Sequence, residues 1–254
     1  MERLKSVYHI PWFDETGPVH QIQFHIHKDM ACIMLDTSGE GLHKRGYRRH
    51  GVAAPIKETL AAAMADLAIV KADSRVFDPL CGSGTILIES ALKALNIAPG
   101  IKRSFACERW SSLDAEIWRS ERERAHGLIR ADAAFEGFGS DISSENISVA
   151  IENAGKAGVA NRLTFVTRDV KDFAPDGERG IVICNPPYGE RLLSVNEAQA
   201  IYRIMGSRFK RRPGFSYSII TPDEEFERSF GRKADKRRKL YNGMIKCQLY
   251  MYFK

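Results

Sequence analysis

The residues best suited to chemistry are Asn185-Pro186-Pro187-Tyr188, which follow the apolar run Gly180-Ile181-Val182-Ile183-Cys184. A run of Ile and Val that stops at a polar residue and two prolines reads as a buried strand breaking into a loop. The prolines hold that loop extended and remove two backbone donors, while their carbonyls still accept. The amide oxygen of Asn185, the Pro186 carbonyl and the ring of Tyr188 are then presented together. That set suits a flat group carrying an exocyclic amine: the oxygens accept its two hydrogens and Tyr188 stacks on its plane. Taken alone, the same residues fit a structural turn equally well.

A second stretch changes the balance. In Val76-Phe77-Asp78-Pro79-Leu80-Cys81-Gly82-Ser83-Gly84-Thr85, a short strand meets a glycine-rich turn, and a helix follows from Thr85. Gly82 and Gly84 permit a sharp turn and a close approach to a ligand. No Lys-Ser/Thr follows the glycines, as a P-loop requires, and Leu87 stands where a third glycine would complete G-x-G-x-x-G. Asp78 at the strand end repels a pyrophosphate but suits an ammonium or a sulfonium. Asp141 closes the next strand, where an acidic residue typically binds ribose hydroxyls. Asp169 follows a third strand, Leu163 to Val166; it can accept from an adenine amine, and Phe173 nearby can stack. Each alone is an ordinary loop carboxylate. Together Asp78, Asp141, Asp169 and Asn185 mark the carboxyl ends of four strands, where doubly wound sheets bind ligands.

These side chains need an α/β frame. Helical spacing predicts a helix begun by Pro55 and a second over Ser144 to Ala157, broken by Gly158. Phe215 to Ile220 reads as a fifth strand. Tyr241-Asn242-Gly243-Met244 carries a hairpin signal with Ile245 to Phe253 as second arm, so the expected sheet is mixed and seven-stranded. Residues 96–136 look inserted, with Trp110 and Trp118 as packing residues. Residues 1–50 form a short front piece in which 20–27 and 31–36 alternate as hairpin partners, and residues 51–254 form the main domain.

The 254 residues are 44% hydrophobic and 28% charged, ordinary for a soluble protein. No run of about eighteen apolar residues or signal peptide is seen, so no membrane span is expected. Five scattered cysteines without C-x-x-C spacing point to a reducing, cytoplasmic setting with no disulfide and no metal site. Cys81 and Cys184 read as small buried residues. The formal net charge is +6. The positive charge is clustered: Lys44, Arg45, Arg48 and Arg49 flanked by His43 and His50; Arg208, Lys210, Arg211 and Arg212; and Arg232, Lys233, Lys236, Arg237, Arg238 and Lys239. Three such runs favour a polyanion, most simply nucleic acid.

The loop Asp78 to Thr85 and the motif Asn185-Pro186-Pro187-Tyr188 resemble those of class I S-adenosylmethionine-dependent methyltransferases that act on exocyclic amines. Residues 35–48, 54–60 and 238–243 are similar to the THUMP-containing RNA methylase family. That resemblance implies a Rossmann-like seven-stranded mixed sheet with helices on both faces and S-adenosylmethionine as cofactor. It implies methylation of the guanine 2-amino group in large-subunit ribosomal RNA or in tRNA. Asn185, Pro186 and Tyr188 would be catalytic. Asp78, Cys81, Gly82, Ser83, Gly84, Thr85, Asp141 and Asp169 would bind cofactor. Lys44, Arg45, Arg48, Arg232, Lys233, Lys236, Arg237, Arg238 and Lys239 would bind RNA. Residues 1–50 resemble the last strands and linker of a THUMP domain, most of which is absent from this sequence. Two other readings stay open: an adenine-amine methyltransferase on DNA or RNA, and a basic RNA-binding assembly factor without turnover.

Overall fold

The computed structural model describes residues 1–48, 56–188 and 194–253. The helix start expected at Pro55, and Arg49 and His50 of the first basic cluster, lie outside the described residues. The chain forms two compact units, Met1–Gly41 with Ser104–Glu121, and Leu42–Arg103 with Arg122–Lys254.

The smaller unit contains α1 (Glu2–Tyr8) and the antiparallel hairpin β1 (Gln21–His27) and β2 (Met30–Asp36). Residues 104–121 of the stretch 96–136 belong here, which local sequence pattern does not reveal. Ala106 and Cys107 donate backbone bonds to Ser38 and Thr37 at 3.3 and 3.2 Å. Trp110 Nε1 donates to the Val19 carbonyl at 3.1 Å, and its ring stacks on His20. The first segment of this unit ends at Gly41. Tyr47 is buried in the core of the larger unit.

The larger unit begins with α2 (Glu58–Leu67), followed by β3 (Arg75–Asp78) and α3 (Thr85–Ala94). Then come α4 (Ala115–Gly127), which carries the division between units, β4 (Glu136–Asp141), α5 (Ser144–Ala157), β5 (Leu163–Thr167) and β6 (Gly180–Cys184). The chain closes with α6 (Val195–Arg208), β7 (Phe215–Thr221), α7 (Phe226–Phe230), β8 (Lys236–Asn242) and β9 (Ile245–Tyr252). The sheet order is β5-β4-β3-β6-β7-β9-β8, with β3 to β7 parallel and β9 antiparallel to both neighbours. This is the expected seven-stranded mixed sheet.

The chain leaves β3 outward through β4 and β5, then returns to the other side of β3 as β6 and continues to β7. That reversal opens a crevice at the carboxyl ends of β3 and β6. One core holds α2, α3, Val76, Phe135, Leu249 and Met251; the other holds Phe77, Tyr202, Phe215, Phe226, Tyr250 and Tyr252. Every residue of α3 except Lys93 is buried, so this helix is fixed on all sides. Leu87 and Ile88 are fully buried, and truncating either to Ala costs about 2–5 kcal/mol.

The terminal hairpin turns one residue later than Asn-Gly predicts. Asn242 pairs with Ile245 as the last ladder residue, leaving Gly243-Met244 as the two-residue loop. Gly243 takes φ 65°, which puts a glycine at the first loop position, the II′ pattern instead of I′.

Candidate active site

Asp78 ends β3 at the crevice floor and is almost fully buried. Its Oδ1 accepts from the Leu80 amide at 3.2 Å. Burial above all, opposed by the Leu80 amide and helped by the nearby Asp141, pushes its carboxyl up to about 8. The loop then turns through Gly82 and Gly84, with φ 50° and 78°. A Cβ on Gly84 would lie 3.1 Å from both Ala150 and the Phe165 ring, whereas one on Gly82 would point into open space. Gly84 is thus needed by the packing behind the loop, and Gly82 leaves room in front of it.

Four side chains and two backbone bonds hold this loop. The Cys81 amide donates to the Ser140 carbonyl at 2.9 Å, and Gly84 to Cys81 at 2.8 Å. Asp141 Oδ2 accepts from the Gly82 amide at 3.0 Å; its Oδ1 accepts from the Ser143 amide and from Asn146 Nδ2 at 2.9 and 3.1 Å. Asn153 Nδ2 donates to the Ser83 carbonyl at 3.0 Å, and the Ser83 and Thr85 hydroxyls share a bond of 3.1 Å. Arg48 Nη2 donates to Thr85 Oγ1 at 2.9 Å. Asp141 is therefore a support of the loop as well as an acceptor at the crevice.

Asp169 follows β5, one residue after Arg168, whose amide donates to the Asp141 carbonyl at 2.9 Å. Asp169 accepts from the Lys171 amide at 2.9 Å and pairs with Lys171 Nζ at 3.3 Å. That amide above all holds its carboxyl below the usual range. Phe173 is not available for stacking: it is buried against Phe77 and Phe209. A short 3₁₀ turn at Val170–Asp172 directs it inward.

The register sets the second half of the crevice. Val76 and Phe77 pair with Ile181 and Val182, so Asn185 stands just beyond Asp78 on the adjacent strand. Pro186 is buried and Asn185 half-buried. Asn185 Oδ1 is shielded from solvent and has no hydrogen-bond partner among the described residues. A buried acceptor left unpaired costs about 1–3 kcal/mol, so a donor entering here recovers that energy. The Tyr188 hydroxyl accepts from Asn242 Nδ2 at 2.8 Å, and the ring packs on the first core. Burial pushes that hydroxyl up to about 12, so it stays neutral. Asn242, at the end of β8, thus fixes the plane of a residue 54 positions earlier.

Cys81 and Cys184 are buried, and burial raises both thiols well above their ordinary value. Neither is a thiolate nucleophile at neutral pH.

The basic residues divide. Lys236, Arg238 and Lys239 lie exposed on the edge strand β8, and Lys233 is exposed just before it. Arg237 is paired with Glu227, and Arg232 lies over the rings of Tyr252, Phe230 and Tyr217 at 4.5, 5.5 and 5.7 Å. Arg45 lies 3.5 Å from the buried Glu89 and Arg48 lies 3.4 Å from the buried Glu58. Arg45, Arg48 and Arg232, expected on a nucleic-acid surface, are engaged within the protein, by two buried carboxylates and a stack of aromatic rings, whereas Arg237 stays exposed beside its partner.

Asn146, Asn153 and Asn242 were missed by sequence reading. Only Asn153 carried a signal: it is a polar residue on the stripe Ile147, Ala150, Ala154 and Ala157 that α5 buries. Among the described residues, no group of three His, Cys, Asp or Glu is placed to hold a metal ion. No described helix is long and apolar enough to cross a membrane.

This sheet order, with a glycine loop after its central strand and polar residues at four strand ends, defines a class I, Rossmann-like methyltransferase. The chain belongs to the family described as RMKL-like, methyltransferase domain (UPF0020), whose model matches residues 45–251. It is 43% identical over 242 residues to YpsC of Bacillus subtilis, provisionally named an RNA methyltransferase, covering 95% of this chain and 63% of that protein. It is 39% identical over 240 residues to the ribosomal RNA large subunit methyltransferase K/L of Shewanella baltica, covering 91% of this chain and 34% of that protein. Among solved structures, SMU.472, a provisionally assigned methyltransferase complexed with SAH, matches with a TM-score of 0.91 at 39% identity, over 99% of this chain and 67% of the other. The chain thus spans about a third to two thirds of these curated relatives. The cofactor expected from sequence, S-adenosylmethionine, agrees with these findings.

Proposed function

We propose that this chain is the catalytic part of an S-adenosylmethionine-dependent RNA methyltransferase acting on the exocyclic 2-amino group of guanine, with large-subunit ribosomal RNA as first substrate and tRNA as second. The observation that supports this reading is the buried Oδ1 of Asn185, which has no partner among the described residues, followed by the buried Pro186 at the end of β6. The names of the two curated relatives favour RNA over DNA, and the similarity of residues 35–48, 54–60 and 238–243 to the THUMP-containing family favours guanine. Residues 1–50 fit the end and linker of such an RNA-binding region, and the exposed Lys233, Lys236, Arg238 and Lys239 fit a phosphate backbone.

The residues present suit the cofactor. Asp78 can face an ammonium, Asp141 a ribose, Asp169 an adenine amine, and the open space before Gly82 lets backbone approach it. When bound, S-adenosylmethionine supplies an already activated methyl group, so this chain's task is to position and orient. A guanine amine is a weak nucleophile because its lone pair is delocalised into the ring. Asn185 Oδ1 and the Pro186 carbonyl accept its two hydrogens, favour a pyramidal nitrogen and stabilise the positive charge that develops there. Tyr188, held by Asn242, keeps the base plane in place, and the base must be unpaired or flipped out to reach it.

The test is labelled methyl transfer from S-adenosylmethionine to unmodified ribosomal RNA, tRNA and DNA, followed by nucleoside analysis. Label in 2-methylguanosine from RNA is expected. Label in methyladenine would replace guanine by adenine, and a chain that binds no cofactor would favour the assembly-factor reading.

A further inference from the structure

Residues 42–48 form a strap on the larger unit that grips α3 at two points. Tyr47 is buried, and its hydroxyl donates to Glu89 Oε1 at 2.9 Å, while Arg45 lies 3.5 Å from Oε2 of the same carboxylate. Four residues earlier on α3, one turn away on the same face, is Thr85. There Arg48 Nη2 donates to Thr85 Oγ1 at 2.9 Å and to the Ile56 carbonyl at 2.5 Å, with Nε 3.4 Å from Glu58 Oε1. Glu58, Thr85 and Glu89 are all buried. Thr85 Oγ1 in turn meets Ser83 Oγ, between the two glycines of the loop.

We propose that Arg48 is a positioning residue for the cofactor loop, so that docking of the strap and binding of the cofactor form one coupled equilibrium; this rests on the cofactor reading above. One planar guanidinium donates to Thr85 and Ile56 while its charge lies beside Glu58, a combination that the point charge of a lysine does not reproduce. Loss of that fork frees Thr85 to rotate away from Ser83, and the loop loses its support from behind. Coupling of this kind is reciprocal: a bound cofactor holds the strap down, and a docked strap raises cofactor affinity.

The test is calorimetric titration of the full chain with S-adenosylhomocysteine, for wild type, Arg48→Lys, Thr85→Val and the double variant, beside hydrogen exchange of residues 42–48. Arg48→Lys keeps a cation beside Glu58, so the variant folds. Expected are an affinity about tenfold weaker in each single variant, a double variant little weaker than either, and strap exchange slowed by the ligand in wild type but not in Arg48→Lys. In turnover, KM for S-adenosylmethionine rises while kcat holds. A folded Arg48→Lys that binds within about twofold of wild type, additive single effects, or strap exchange indifferent to ligand in wild type would overturn the coupling. A wild type that binds no S-adenosylhomocysteine would instead overturn the cofactor reading beneath it.

Discussion

The two halves of the crevice are built in opposite ways. On the cofactor side, the Gly82 amide and the Ser83 carbonyl and hydroxyl all have protein partners, and Asp141 alone receives three bonds. On the target side, two prolines supply no donors and Asn185 Oδ1 is left buried without a partner among the described residues. A satisfied loop is rigid before its ligand arrives, whereas an unsatisfied acceptor is complementary to something still to come. Binding a common cofactor calls for the first; selecting an amine and stabilising its charge only during reaction calls for the second.

The sharpest break of this contrast is Asn185→Ala. Transfer is expected to fall about 10²–10³-fold, with S-adenosylhomocysteine affinity unchanged; single-turnover rates and calorimetry measure the two separately. Unchanged turnover would remove Asn185 from the chemistry. On the other side, Asp141→Ala should weaken cofactor affinity about thirtyfold, since it deletes charge-assisted bonds worth about 1.5–3 kcal/mol each, and should lower the melting temperature as well. Affinity equal to wild type would show that the loop does not depend on it.

A smaller effect concerns pH. The Asp78 carboxyl, pushed up to about 8 chiefly by burial, is mostly protonated at pH 7. A cationic ligand favours the carboxylate, so binding releases a proton and affinity rises about tenfold between pH 7 and 9. Titrations in buffers of different ionisation enthalpy count that proton; affinity flat over this range would contradict the assignment. Smallest is Asn242→Ala, which frees the Tyr188 hydroxyl. It should lower kcat/KM for RNA about fivefold, the worth of about one hydrogen bond, without touching cofactor affinity. An equal loss of cofactor affinity would mean that the hairpin tip supports the whole crevice.

Much of this frame was legible in sequence because strand ends are local events. Asp78 and Asn185 close apolar strands and Asp141 closes the glycine-rich strand before α5, and their common edge follows from the topology of a doubly wound sheet. What could not be read depends on contacts across long separations. Residues 104–121 look like an insertion but fold with the front of the chain. Tyr188 and Asn242 meet only because β8 pairs with β9 and β9 with β7. Arg45 and Arg48 look like a surface charge run, since nothing local reveals that Glu89 and Glu58 are buried beneath them. Phe173 has the right distance from Asp169 but the wrong face.

The central claim is that Asn185 and Pro186 accept hydrogens from the guanine 2-amino group. The most direct measurement compares methyl transfer to a ribosomal RNA fragment carrying guanosine with transfer to the same fragment carrying inosine at the target, which lacks only that amine. Label is predicted to enter the guanosine RNA and to be lost from the inosine RNA, with binding of the two nearly equal. Equal label in both would place the methyl on another atom and contradict the assignment of Asn185.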